Sequence, residues 1–154
     1  MGLQIVHQDI TEMECDVIVN AANTHLLAGG GVCGAIFNKA GYQQMTAACQ
    51  SLAPVATGQA VITPGFQLKA QAVIHAVGPV YRGGGHHEKQ LLADAYRHAL
   101  LLASKHHFTS IAFPVISSGI YGYPYDEALQ VAKDTILAYL KDHDLEVFLV
   151  IYQR

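Results

Sequence analysis

The sequence predicts an α/β domain built on a largely parallel central sheet, and three features of it carry that expectation. Short apolar runs of strand length alternate with longer segments of helical periodicity along the whole chain. One of the runs, Val17 to Asn20, is continuously apolar, as strands covered on both faces are, and Ser110 to Pro114 reads as another short buried strand. The segment Glu88 to Lys105 places Leu91, Leu92, Ala95, Tyr96, Ala99, Leu102 and Ala103 on one helical stripe. In sheets of this kind, ligands bind outside the carboxyl ends of the strands.

In chain order, Leu3 to Val6 reads as a short strand, with Asp9-Ile10-Thr11 as a turn behind it. Val17 to Asn20 is the next strand, and a helix over Val32 to Ala40 carries Val32, Ile36 and Ala40 on one face. A second helical piece covers Tyr42 to Gln50, and Pro54 to Gly58 is a break. Gln59 to Thr63 and Ala72 to Val77 read as strands around the turn Pro64-Gly65. After the long helix and the strand Ser110 to Pro114, Pro124 to about Asp142 is helical. Pro124 suits its first turn, and Asp126 and Glu127 suit its positive end. Tyr125, Ala128, Leu129, Ala132, Ile136 and Leu140 form its apolar face, and Leu145 to Ile151 is the last strand.

The chain's 154 residues favour one domain, spanning 1–154, and suffice for one core. With 51% hydrophobic and only 14% charged residues, the composition is globular and excludes a disordered chain. A formal net charge of -3 provides no basic excess for gripping a nucleic-acid backbone, so nucleic acid is not an expected partner. MGLQIVHQDI lacks the basic and apolar regions of a secretory signal, and no apolar run reaches membrane-spanning length. Cys15, Cys33 and Cys49 are odd in number and lack CxxC spacing, which suits free thiols and a cytoplasmic location.

The stretch from Val17 to Gly41 organises the chemistry. An apolar strand passes Asn20 and Asn23, reaches the triplet Gly29-Gly30-Gly31, and enters a helix stopped by Gly41. Glycines let a backbone approach an anion, and the free amides of a helix start point at it. A second loop, Ser117-Ser118-Gly119-Ile120-Tyr121-Gly122, also precedes a helix. Two such loops at the carboxyl edge of buried strands suggest a diphosphate gripped from both sides.

VNAAN, the triple glycine followed by VCGAIF, IHAVGP and ISSGIYGYP resemble the signatures of the macro domain family, in the family's order, from Asp9 to Tyr152. The resemblance implies a three-layer α/β/α sandwich on a six-stranded mixed, largely parallel sheet, with a site for ADP-ribose. It is closest to the branch that removes mono-ADP-ribose from proteins and deacetylates O-acetyl-ADP-ribose. The implied partners are therefore ADP-ribose, ADP-ribosylated proteins and O-acetyl-ADP-ribose, with no cofactor. By position, Asp9 accepts from the adenine amino group, the Ile10 amide reaches the ring, and Tyr152 stacks on it. Gly29, Gly30, Gly31 and Val32, with Ser117, Ser118, Gly119, Ile120, Tyr121 and Gly122, enclose the diphosphate. Asn23 binds the distal ribose and Tyr121 packs on it, while Asn20 orders the first loop. Asn23, Cys33 and Tyr121 are the catalytic candidates.

Read from the residues alone, each has a plainer role. Asp9 could cap a turn, Asn23 could form an Asx-turn, Tyr121 could be packing, and Tyr152 could close the core from a strand end. Cys33 departs from the pattern of the hydrolytic branch, which has aspartate there, and so removes a carboxylate that could orient water. As a thiol at a helix start it is a candidate nucleophile or a small apolar residue. The resulting alternatives are a hydrolase of ADP-ribose conjugates, a non-catalytic ADP-ribose-binding module, and a phosphate-binding enzyme for another nucleotide or RNA ends. The adjacent pairs His86-His87 and His106-His107 match no metal spacing, so no metal is expected, and His75 reads as a satisfied core histidine.

Overall fold

The structure, a computed structural model, describes residues 2–151. Its strands are β1 (Leu3–His7), β2 (Val17–Ala22), β3 (Ala60–Pro64), β4 (Ala72–Val77), β5 (Ser110–Phe113) and β6 (Glu146–Ile151). Its helices are α1 (Gly31–Ala40), α2 (Tyr42–Gln50), α3 (Glu88–Lys105) and α4 (Tyr125–Leu140), with a 3-10 turn at Ile10–Glu12. The strands form one sheet in the order β1-β6-β5-β2-β4-β3. All neighbours are parallel except β3, which pairs antiparallel with β4; the expected turn at Pro64-Gly65 is instead a loop over 65–71, because Pro64 is still paired with Ala72 and the Gly65 amide closes onto Gln71 O.

Strand side chains alternate between faces, and this splits the core into two layers. Val17 and Val19 of β2 pack with Leu92, Tyr96 and Ala99 of α3 and Ala132 and Ile136 of α4. Ile18 and Ala22 point the other way, onto Ile36 and Phe37 of α1 and Met45 and Cys49 of α2. The result is the α/β/α sandwich on a six-stranded mixed sheet that the motifs imply.

Both long helices turn a broader face inward than their simplest stripe suggests. On α3, Leu100 is fully buried, whereas Leu91 and Leu102 are only half-buried. On α4, Val131 and Tyr139 are buried, Leu129 and Leu140 are half-buried, and Tyr125 is 43% exposed. The cause is packing of the two helices on each other as well as on the sheet: the Tyr139 hydroxyl donates to the Leu100 carbonyl at 3.3 Å. Tyr125, in the first turn of α4, overhangs the sheet edge and lines a cleft there. Pro124 caps α4 rather than entering its first turn.

The parallel strands place all their carboxyl ends at one edge. At that edge β2 leads to α1 on one face of the sheet, and its neighbour β5 leads to α4 on the other. The two connecting loops therefore diverge, and the crevice between them is where a ligand fits.

Candidate functional site

A cleft of about 870 Å³ occupies that crevice. Its walls are the loop after β2, the loop after β5, the turn Gln8-Asp9-Ile10 after β1, and the ends of β2 and β6. No lysine or arginine lines it among the described residues. An anion there would be held by backbone amides.

The first loop supplies such amides. Gly31, Val32 and Cys33 form the first turn of α1, where N–H groups have no intrahelical acceptor, and Gly30 at the cap offers no side chain. Gly31 adopts φ +57°, which glycine reaches without strain. A Cβ on Gly34 would sit 2.3 Å from the Gly29 carbonyl oxygen, so Gly34 is what lets the loop fold back on the helix. A Cβ on Gly29 would meet nothing within 4 Å. Packing within the protein does not demand glycine at Gly29, and its bare backbone faces the cleft.

The second loop works in the same way. The Ser117 hydroxyl donates to Pro79 O at 2.7 Å and that of Ser118 to Val115 O at 2.7 Å, so both brace the loop itself. The amides of Gly119, Ile120 and Tyr121 donate to no backbone carbonyl among the described residues. Tyr121 is anchored through its carbonyl, which accepts from Tyr81 N at 2.8 Å. Gly122 does not line the cleft, and its amide closes a turn onto Gly119 O at 3.0 Å. Ile120 is 87% exposed, and a Cβ on Gly30 would come within 3.9 Å of its Cδ1, so the two loops face each other across the opening. Gly78, just past β4, permits this close approach, because a Cβ there would lie 2.3 Å from Ser117 Oγ and 2.5 Å from Ile116 Cγ2.

Behind the second loop, Glu88 is a buried carboxylate at the start of α3. It accepts from the amides of Arg82 (2.7 Å), Gly84 (3.1 Å) and His86 (2.6 Å), which gives the glycine triplet Gly83-Gly84-Gly85 its shape. Those amides pull its pKa down from 4.5 to about 2, against the opposing effect of burial.

At the far end of the cleft, Asp9 Oδ1 accepts from Thr11 N at 2.9 Å and from Thr11 Oγ1 at 2.7 Å. The turn-capping role is therefore real, and Oδ2 takes no partner among the described residues. Tyr152 lies outside the described residues.

Asn23 is gripped at both ends of its amide by Leu27. Its Nδ2 donates to Leu27 O at 2.8 Å, and its Oδ1 accepts from Leu27 N at 3.0 Å. One N–H and one lone pair remain for a ligand. Cys33 is 9% exposed and lines the cleft. Its Sγ lies 3.4 Å from Leu27 O and 3.5 Å from Asn20 Nδ2. The Tyr121 phenol has a raised pKa, through burial and then through the nearby Cys33. Among the described residues no base lies within hydrogen-bond reach of the Cys33 sulfur, which a nucleophilic thiol normally needs.

Asn20 does not line the cleft. It is buried on β2 beside its register partner His75 on β4, with Nδ2 3.1 Å from His75 Nδ1. His75 Nε2 lies 3.0 Å from Thr63 Oγ1 and 3.8 Å from Cys49 Sγ, so this is a satisfied core histidine. Burial lowers its pKa from 6.5 to about 4 and raises that of Cys49 to about 11. No group of three His, Cys, Asp or Glu side chains suited to a metal occurs among the described residues.

The model of the Macro domain family matches residues 19–132. The chain belongs to the macro domain family. Across 158 residues it is 50% identical to a Salmonella typhimurium protein named O-acetyl-ADP-ribose deacetylase, with 99% of this chain and 88% of that protein covered. It is 52% identical over 136 residues to a macro domain-containing protein of Lactiplantibacillus plantarum, covering 88% and 78% respectively. Among solved structures, it is similar to the Oceanobacillus iheyensis macrodomain with ADP, with a TM-score of 0.92 and 42% identity, over 99% of this chain and 83% of the other. It also resembles the Trypanosoma brucei macrodomain in complex with ADP-ribose, with a TM-score of 0.86 and 37% identity, covering 96% and 63%. The macro domain fold accounts for the facing loops. The motifs assign no role to Gly34 or Gly78: Gly34 is required by the fold-back of its own loop onto Gly29, and Gly78 by the approach of the distant Ile116-Ser117 segment.

Proposed function

We propose that this macro domain hydrolyses ADP-ribose conjugates, namely O-acetyl-ADP-ribose and mono-ADP-ribosylated proteins. The observation that carries this is a cleft that presents, among the described residues, two facing sets of unpaired amides and no cationic side chain, a cradle for a diphosphate. The name of the Salmonella relative and the ligands of the solved macrodomains support the same ligand class. Asp9 Oδ2 and the Ile10 amide receive the adenine, and Asn23 and Tyr121 meet the distal ribose. Tyr152 belongs to the adenine end by position in the family's pattern. Three buried thiols suit a reducing cytoplasm.

The chemistry is positioning. In the ester, water oxygen bonds to the acetyl carbon, the bond to the ribose oxygen breaks, and the ribose hydroxyl regains a proton as acetate leaves. In a protein conjugate, water attacks the anomeric carbon and the side-chain oxygen leaves. Loop amides hold the diphosphate and the braced Asn23 amide holds the ribose, so orientation is established before the reaction. A phosphate oxygen of the substrate takes the water-orienting role that a carboxylate at the Cys33 position would fill.

Cys33 also favours a second reading, a module that binds ADP-ribose without turning it over. Single-turnover incubation with O-acetyl-ADP-ribose and with a mono-ADP-ribosylated protein separates the two. Acetate or label release supports the hydrolase, and tight binding with no release supports the module.

A further inference from the structure

A string of buried polar groups runs from β3, through the sheet layer beneath α1 and α2, to the cleft wall. It comprises Thr63, His75, Asn20, Cys33 and the Leu27 carbonyl, with neighbours at 3.0, 3.1, 3.5 and 3.4 Å in turn. Asn20 and His75 are 1% and 0% exposed, so no solvent substitutes for a missing partner. Their adjacency comes from β-sheet register, since Asn20 pairs with His75 across β2 and β4.

The donors along the string have one consistent assignment, running outward from Asn20 to both ends. With Asn20 Nδ2 facing both neighbours, one N–H goes to His75 Nδ1 and the other to Cys33 Sγ. His75 Nδ1 must then be the bare acceptor, and Nε2–H donates to Thr63 Oγ1. The Thr63 hydroxyl has its own outlet in Pro64 O at 3.2 Å. Sulfur, having accepted, places its proton on Leu27 O. The cost is Asn20 Oδ1, which is buried without a partner. Rotating the amide would orphan a two-donor NH2 instead, and buried orphaned donors are rarer than under-satisfied carbonyl oxygens.

We propose that Asn20 and His75 are positioning residues that act through Cys33. The string holds the thiol as a hydrogen-bond donor to Leu27 and so clasps the first loop, leaving Asn23 free to present its remaining groups to the cleft. This rests on the proposed hydrolysis only for its consequence in turnover. The string itself is tested without any ligand.

The experiment uses the full chain labelled with 15N-histidine and 15N-leucine. In the parent at neutral pH, the His75 side-chain resonances show the proton on Nε2. Asn20→Asp offers Nδ1 an acceptor in place of a donor, and the proton appears on Nδ1. The Leu27 amide resonance moves in Asn20→Ala and in Cys33→Ala alike. With O-acetyl-ADP-ribose, each of these two alanine variants lowers the single-turnover rate by about three- to tenfold, and the double variant loses no more than the weaker single variant. An Nδ1–H tautomer in the parent, a Leu27 amide indifferent to Asn20→Ala, or additive losses would overturn the proposal. If the parent neither binds nor turns over the conjugate, the functional reading fails while the tautomer and the Leu27 shift still decide the string. If a variant does not fold, the parent's tautomer alone decides.

Discussion

Asn23 and Cys33 share one acceptor: the Leu27 carbonyl oxygen lies 2.8 Å from Asn23 Nδ2 and 3.4 Å from Cys33 Sγ. Asn23 also takes the Leu27 amide, so the loop after β2 is pinned at one residue from two directions. Replacing Asn23 by Ala removes both of its bonds to Leu27. Amide hydrogen exchange at Leu27 should then accelerate by about tenfold, whereas Cys33→Ala, which leaves the amide bond in place, should change it far less.

The adenine end separates by ligand. Asp9→Ala should weaken ADP-ribose by about 1 to 3 kcal/mol and leave ribose 5-phosphate unaffected, because only the former carries the adenine amino group. Asp9→Asn keeps an acceptor for Thr11 and should preserve stability while still weakening ADP-ribose. Titration calorimetry and a thermal melt on both variants check this. Equal losses for both ligands would place Asp9 in the fold alone.

The glycines divide into two classes. Gly34→Ala and Gly78→Ala force a Cβ to within 2.3 Å of a neighbouring atom and should destabilise the protein by roughly 2 kcal/mol or more. Gly29→Ala meets open space, so its stability should stay within about 0.5 kcal/mol of the parent. Its ADP-ribose affinity should nevertheless fall, since the added methyl occupies the cleft. Denaturant unfolding paired with calorimetry distinguishes the classes.

Acid should lower the protein's stability over two successive pH windows. His75 has a depressed pKa, so the unfolded state binds its proton first, and stability falls as pH drops from about 6.5 to about 4. Glu88 is held ionised by backbone amides, so its contribution is complete above its ordinary pKa of 4.5 and is lost as pH falls towards about 2. His75→Gln should flatten the pH dependence in the upper window and Glu88→Gln that in the lower one, in urea titrations at several pH values.

What could be read from the sequence follows from the range of each interaction. The bounds of α3 and β4 match the expectation because periodicity and apolar runs are local. That the two loops border one cleft was legible because a glycine-rich loop between a buried strand and a helix has a physical meaning by itself, whereas Asn23 stood out only through the motif resemblance. The burial of Leu100 and Tyr139 was not visible, because helix stripes say nothing about packing between two helices. Gly34 and Gly78 look like ordinary glycines until Gly29 and Ser117 are brought against them. The link between Asn20 and His75 spans 55 residues and exists only through strand register. Cys33 was recognised as a departure, but its acceptor at Leu27 depends on how the first loop folds back.

The most direct measurement is single-turnover release of ADP-ribose from a mono-ADP-ribosylated protein by the parent, Cys33→Ala and Asn23→Ala. The parent should release label, and Cys33→Ala should stay within about tenfold of it, because the thiol holds the loop and does not attack. Asn23→Ala should lose about 2 kcal/mol or more of transition-state stabilisation, a factor of roughly thirty. No release by the parent, or abolished release in Cys33→Ala alongside full release in Asn23→Ala, would contradict hydrolysis by positioning.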